Sequence, residues 1–240
     1  MSKKLIFGAT CPSIFSPEIQ EMTENYFGAV HLTVNQDKHE DLEWILSEID
    51  ALILAGGKDI MPMIYKEEIT NGDSLSSFDY KRDLREMYLI KRCFELDIPI
   101  LGICRGHQLL GIYHGMGFNK DIHGSQICHS PGAAKIELDG LPCHYLYLFK
   151  KCQKEFGFEK EFVNSFHHQA LNYCEKNDNV EVLGYSHLQY AHGQYSDRRI
   201  IELMRGIKNS WLSTQFHPET DFSTNKASKI VLDKFKEMIS

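Results

Sequence analysis

The sequence predicts an α/β protein in which a parallel β-sheet is covered by helices on both faces. Three observations carry that expectation. Short, fully apolar runs that suit buried strands alternate with longer segments of helical periodicity. Two of those runs end in tight turns: residues 51–55 run into Gly56-Gly57, and residues 100–104 end on a cysteine between glycines. The chain has 240 residues, 42% hydrophobic and 25% charged, which is ordinary globular composition and long enough to bury a core as one domain, 1–240.

The elements follow in order. Residues 5–9 read as a buried first strand. Residues 37–49 read as a helix, with Leu42, Ile45, Leu46 and Ile49 spaced i, i+3, i+4, i+7 and Asp37 placed to cap it. The run 51–55 (ALILA) is a buried strand. A second helix is expected over 79–96, with Leu84, Met87, Tyr88 and Phe94 facing inward. Asp97 closes it, and Pro99 opens the strand 100–104. A third helix starts straight after Cys104 and carries Leu109, Leu110 and Ile112. The stretch 120–160, rich in Gly, Pro and His, is expected to form loops or short strands. Apolar runs at 180–185, 200–204 and 211–216 read as strands. Residues 224–239 read as an amphipathic helix with Ala227, Ile230, Val231 and Phe235 on one side. No internal repeat or linker interrupts this order.

Composition excludes several functions. Lys plus Arg total 26 and Asp plus Glu 33, a formal charge of −7 with no basic block, so no nucleic-acid partner is expected. No run approaches the ~20 apolar residues that span a bilayer, and the first nine residues lack the roughly 7–15-residue apolar region of a secretory signal. The seven cysteines are odd in number and form no CxxC, which favours reduced thiols and a cytoplasmic location. Among the twelve histidines, His123, His129, His144, His167 and His168 suggest metal at first sight. None of them forms an HxxxH pair or a Cys/His quartet, so neither metal nor cofactor is expected.

Two segments carry chemistry. Gly102-Ile103-Cys104-Arg105-Gly106 has the form G-x-nucleophile-x-G between a strand and a helix, where a side chain at either glycine would clash. A helix N-terminus at Arg105 favours a thiolate on Cys104, and the Arg105 N–H points toward a forming oxyanion. The competing reading is a buried core cysteine beside closely packed glycines. The second segment, Gln215-Phe216-His217-Pro218-Glu219, ends an apolar run. A thiol needs a base, and the base needs a group that orients it. His217 and Glu219, two apart, share a side if the chain stays extended. The competing reading is a surface His-Pro-Glu turn.

GICRGHQ together with STQFHPE resembles the class I glutamine amidotransferase superfamily. LAGGKDIMPMIY (54–65), RDLREMYLIKRC (82–93) and VNSFHHQALN (163–172) narrow the resemblance to the γ-glutamyl hydrolases of peptidase family C26. The matching blocks extend from about residue 51 to 219. The resemblance implies a flavodoxin-like three-layer α/β/α sandwich with a mostly parallel central sheet. It implies Cys104 as nucleophile, His217 as general base and acid, and Glu219 as the group orienting His217. Backbone N–H groups of Gly57 and Arg105 would form the oxyanion hole, and Gln108, Ser165, His167 and His168 would hold the glutamyl group. The chain departs from the family where Met116 separates Gly115 from Gly117 and where Asn119-Lys120-Asp121 replaces a Gln-Asp. The 120–160 stretch aligns with no motif.

The implied activity is hydrolysis of a small γ-glutamyl compound: γ-glutamyl-γ-aminobutyrate, another γ-glutamyl amine, or a nucleotide-linked γ-glutamyl amidate. Two alternatives stay open at this level. One is a glutaminase subunit passing ammonia to a separate synthetase, and the other is an inactive binding or regulatory module. A homodimer fits any of these.

Overall fold

The structure is a computed structural model that describes residues 4–11, 16–70, 74–122, 137–138, 141–174, 176–189 and 195–239. In chain order its strands are β1 (Ile6–Thr10), β2 (Val30–Thr33), β3 (Ala51–Leu54), β4 (Ile100–Ile103), β5 (Phe118–Asn119), β6 (Glu137–Leu138), β7 (Leu141–Leu148), β8 (Lys160–Asn164), β9 (Ala170–Leu171), β10 (Val180–Gln189), β11 (Tyr195–Gly206) and β12 (Trp211–Thr214). Its helices are α1 (Ser16–Glu21), α2 (His39–Glu48), α3 (Tyr80–Glu95), α4 (Arg105–Tyr113), α5 (Lys150–Phe156), α6 (Pro218–Asp221) and α7 (Lys226–Met238).

Among the described residues ten strands form one sheet in the order β2-β1-β3-β4-β12-β11-β10-β7-β6, with β8 paired to β7. The first five are parallel and follow the flavodoxin-like order, with β12 as the fifth strand. From β12 onward the pairing is antiparallel. Side-chain alternation divides the core into two layers. In β3, Ala51 and Ile53 face α1 and α7, where they join Phe27, Val231 and Phe235. Leu52 and Leu54 face the opposite way and pack with Leu42, Ile45, Leu89 and Leu109 of α2, α3 and α4. Helices therefore cover both faces of the parallel half.

The predicted strands and helices are present, with four differences. Asp37 does not cap α2, because its carboxylate pairs with Arg85, and Lys38 occupies the cap position without a side-chain bond. The face of α3 is rotated from the predicted one. Leu84 is 49% exposed, Met87, Tyr88 and Phe94 are half-buried, and the buried face holds Arg82, Asp83 and Glu86 beside Leu89, Ile90 and Cys93. Asp79 caps that helix by accepting from the Arg82 N–H. Within 120–160 the chain forms the eight-residue strand β7 and the helix α5, more regular structure than its composition suggests. Finally, the run 211–216 stops being a strand at Thr214. His123, Cys128 and His129 lie outside the described residues.

Among the described residues, no helix is long and apolar enough to cross a membrane, and no cluster of three or more His, Cys, Asp or Glu is arranged to hold a metal. Cys11, Cys93, Cys104, Cys152 and Cys174 are outside any disulfide.

Candidate active site

Strands β3, β4 and β12 lie side by side and deliver their following loops to one edge of the sheet, where ligands bind in open α/β folds. Cys104 occupies the bend between β4 and α4. Its φ of 51° and ψ of −102° lie in a region that side-chain-bearing residues rarely adopt, a strain of roughly 1–3 kcal/mol of the kind found at active sites. The bend is fixed by the Cys104 N–H, which donates to the Thr214 carbonyl at 2.7 Å, and by the Gln108 N–H, which donates to the Cys104 carbonyl at 3.0 Å. The flanking glycines leave room for this packing, Gly106 against backbone and Gly102 against side chains. A Cβ on Gly106 would lie 2.1 Å from the Leu54 carbonyl oxygen, and one on Gly102 would lie 2.6 Å from Leu110 Cδ1. The sulfur thus stands at the N-terminus of α4, where dipole and free N–H groups favour negative charge.

His217 and Glu219 arrive on the adjacent strand's exit. The chain does not stay extended there. Pro218 starts the helical turn α6, and the turn itself brings the side chains together. The His217 Nδ1–H donates to Glu219 Oε1 at 2.7 Å, with both side chains buried. The ring stands beside Cys104, since a Cβ built on Gly56 would lie 2.8 Å from His217 Cε1 and 3.6 Å from Cys104 Cβ. Burial alone would discharge this imidazole. The Glu219 carboxylate and Cys104 outweigh burial and hold the His217 pKa well above its ordinary value. The turn pairs His217 with Glu219 and sets the imidazole near Cys104, which lies 113 positions earlier in the chain.

Several residues fix this arrangement. The Asn164 side chain clamps the His217 backbone, accepting from its N–H and donating to its carbonyl, both at 2.8 Å. Gln215 Nε2 lies 3.6 Å from Cys104 Sγ as a donor. Gly56 packs directly under the imidazole, since a Cβ there would come within 2.8 Å of His217 Cε1. The sequence gives none of these three a role in the site, although Asn164, Gln215 and Gly56 all stand inside the motif blocks quoted above. Gly57, at φ 147°, has a backbone that only glycine adopts readily.

The family model for peptidase C26 matches residues 13–219. This chain belongs to the peptidase C26 family. It is 32% identical over 201 residues to the glutamine amidotransferase-like protein YvdE of Lactococcus lactis subsp. lactis, covering 83% of this chain and 78% of that one. It is 28% identical over 207 residues to γ-glutamyl-γ-aminobutyrate hydrolase PuuD of Escherichia coli, covering 81% and 73%. A solved glutamine amidotransferase of Thermotoga maritima superimposes with a TM-score of 0.59 at 17% identity, covering 99% and 84%. That likeness concerns the fold, which is the class I glutamine amidotransferase fold.

The remaining residues of this C26 site differ in how they are held. Both donors of the Gln108 side-chain amide are engaged internally, by the Gln169 carbonyl at 2.9 Å and by Gln215 Oε1 at 3.1 Å. His167 is buried, bonded through Nδ1 to the Gln169 carbonyl, and burial pushes its pKa down to about 4. Ser165 is fully buried. His168 is half-exposed, and the Asp59 carboxylate, 3.0 Å from Nε2, raises its pKa. Behind this segment, the buried Glu202 binds His144 at 2.9 Å and Ser186 at 2.8 Å. A cavity of about 670 Å³ lined by Phe118, Lys120, Tyr173, Arg198 and Arg199 has none of Cys104, His217 or Glu219 on its walls.

Proposed function

We propose that this C26 chain hydrolyses the γ-glutamyl amide bond of a small γ-glutamyl compound through a thioester on Cys104. The observation that supports the reading is the buried His217–Glu219 pair beside Cys104, which sits at a strained strand–helix bend. The named γ-glutamyl-γ-aminobutyrate hydrolase among the relatives supports the choice of bond.

The steps follow from the positions. The Cys104 thiolate attacks the γ-carbonyl, and the oxyanion rests on the N–H groups of Gly57 and Arg105. The C–N bond breaks as His217, protonated and steadied by Glu219, gives its proton to the leaving amine. Water then attacks the thioester, His217 takes its proton, the C–S bond breaks and glutamate leaves. The segment 165–168, backed by Gln108, bounds the space for the glutamyl end. The chemistry draws on side chains and backbone alone, and the expected partner is the small-molecule substrate, without nucleic acid or membrane.

The test is glutamate release from a panel of γ-glutamyl amides, including γ-glutamyl-γ-aminobutyrate and glutamine. At least one amide should be turned over, and Cys104→Ala should abolish turnover while leaving the fold intact. The loss should exceed the ~2.7–4 kcal/mol of one oxyanion donor. Mass spectrometry should detect a γ-glutamyl adduct on Cys104 in quenched wild-type reactions. Turnover in Cys104→Ala would refute the assignment. Release of ammonia from glutamine alone, rising with an added synthetase, would favour the glutaminase-subunit reading that the amidotransferase-like relatives suggest. A Cys104 of ordinary thiol reactivity with no turnover would favour an inactive module.

A further inference from the structure

The RD-x-x-E face of α3 has no part in the steps above, yet it is a densely bonded polar cluster in the core. Arg82, Asp83 and Glu86 are all buried, as is Arg105, the residue that follows the nucleophile. Arg82 distributes its fork over three backbone carbonyls. Nη1 donates to Gly56 at 2.9 Å, and Nη2 donates to Ala55 at 2.8 Å and Thr10 at 2.6 Å, while Nε donates to Glu86 at 2.7 Å. Asp83 and Glu86 both pair with Arg105. Asp83 also accepts the Met61 N–H at 3.0 Å. One helix face therefore grips the loop after β3 on both sides of Gly57, and it grips the side chain of the residue whose N–H is the other oxyanion donor.

The geometry of the peptide unit gives this grip a direction. A trans peptide is planar, with its C=O and N–H pointing opposite ways. The Gly56 carbonyl points at Arg82, so the N–H of Gly57, in the same plane, points away from Arg82. Gly56 itself borders the cysteine, since a Cβ there would lie 3.6 Å from Cys104 Cβ. Gly57 at φ 147° lets the chain leave this turn without moving the plane. Ala55 and Gly56 lie just past the end of β3 at Leu54, where sheet pairing no longer sets their orientation.

We propose that Arg82 is a positioning residue that, by holding the carbonyls of Ala55 and Gly56, aims the N–H of Gly57 at the oxygen that gains charge when Cys104 attacks an amide. The inference rests on the hydrolase reading of the site. A planar fork reaching three carbonyls is something a lysine ammonium cannot reproduce, although it preserves the charge beside Glu86.

The experiment compares wild type, Arg82→Lys and the charge-neutral pair Arg82→Gln/Glu86→Gln, each checked by thermal unfolding. Two rates are measured: kcat and KM on the best amide of the panel, and the pH dependence of Cys104 modification by methyl methanethiosulfonate. That reagent consumes the thiolate but has no carbonyl to develop an oxyanion. A displaced N–H should lower kcat by about 10²-fold with KM unchanged. The rate and pH dependence of Cys104 modification should stay as in wild type. Full turnover in Arg82→Lys would overturn the proposal. So would a parallel loss of turnover and thiol reactivity, which marks general disorder of the site. Failure of both variants to fold would overturn it too, since the network would then hold the fold rather than aim the loop. Turnover in Cys104→Ala would instead sink the hydrolase reading itself.

Discussion

At Gly56 an added methyl group would come within 2.8 Å of His217 Cε1, too close to the imidazole, and into contact with Cys104 Cβ at 3.6 Å. Gly56→Ala should therefore push the ring off the sulfur and lower kcat by about 10²-fold while leaving the unfolding temperature nearly unchanged. A kcat equal to wild type would mean that the imidazole is not the working base. Glu219→Gln acts on the same ring through charge. The folded pKa of His217 lies above the unfolded value of about 6.5, so this interaction stabilises the protein fully below that pH. The contribution fades as pH rises through the folded pKa. Urea titrations should show a wild-type advantage over Glu219→Gln that shrinks toward alkaline pH. The alkaline limb of kcat/KM should also move to lower pH in the variant, and an unmoved limb would remove Glu219 from its role. The bend at Cys104 was legible in the sequence because Gly102 and Gly106 announce it, whereas nothing local announced the helical turn after His217. The contact between His217 and Glu219 was expected for the wrong reason, since a helical turn rather than an extended strand brings them together.

Helix α3 shows where sequence patterning stops. Apolar periodicity assumes that the inward face is apolar, and on that assumption Leu84 was turned toward the core. The inward positions belong instead to Arg82, Asp83 and Glu86, which can be buried because Arg105 and three carbonyls satisfy them from 19 to 72 residues away. Such partners cannot be seen in a local window. The two faces should respond very differently to truncation. Glu86→Ala, which strips a partner from two buried guanidiniums, should cost about 3–5 kcal/mol. Leu84→Ala, on the exposed face, should stay within about 0.5 kcal/mol. Chemical denaturation of both variants measures this, and equal effects would mean that the helix is rotated. The length of β7 and the presence of helix α5 exceeded the expected loops or short strands for a related reason. Both lie in a stretch whose Gly, Pro and His content reads as loop, and β7 is held by pairing with β10 and β8.

Across the whole molecule, the alternation of strand and helix was enough to give the parallel half of the sheet and its two covered faces. The antiparallel half was not specified, because runs such as 180–185 and 200–204 carry no mark of strand direction. The two tryptophans sample this architecture unequally. Trp211 opens β12, is fully buried and stacks on His114 at 5.3 Å, while Trp44 is 60% exposed. In Trp44→Phe, acrylamide should barely quench the remaining emission in the folded protein. The red shift of Trp211 in urea should coincide with the loss of turnover, because β12 carries both that ring and the route to His217. Separate transitions would mean that the site melts apart from the sheet.

Cys104 and His217 follow the neighbouring strands β4 and β12, and the exposed bend at 207–210 lies between them in the chain, just before β12. Severing the backbone in that bend would divide the chemistry between two inert fragments, the shorter one carrying β12, His217 and α7. If the chain is the γ-glutamyl hydrolase proposed above, docking of that shorter fragment would restore turnover, and released glutamate would report the reunion of the halves.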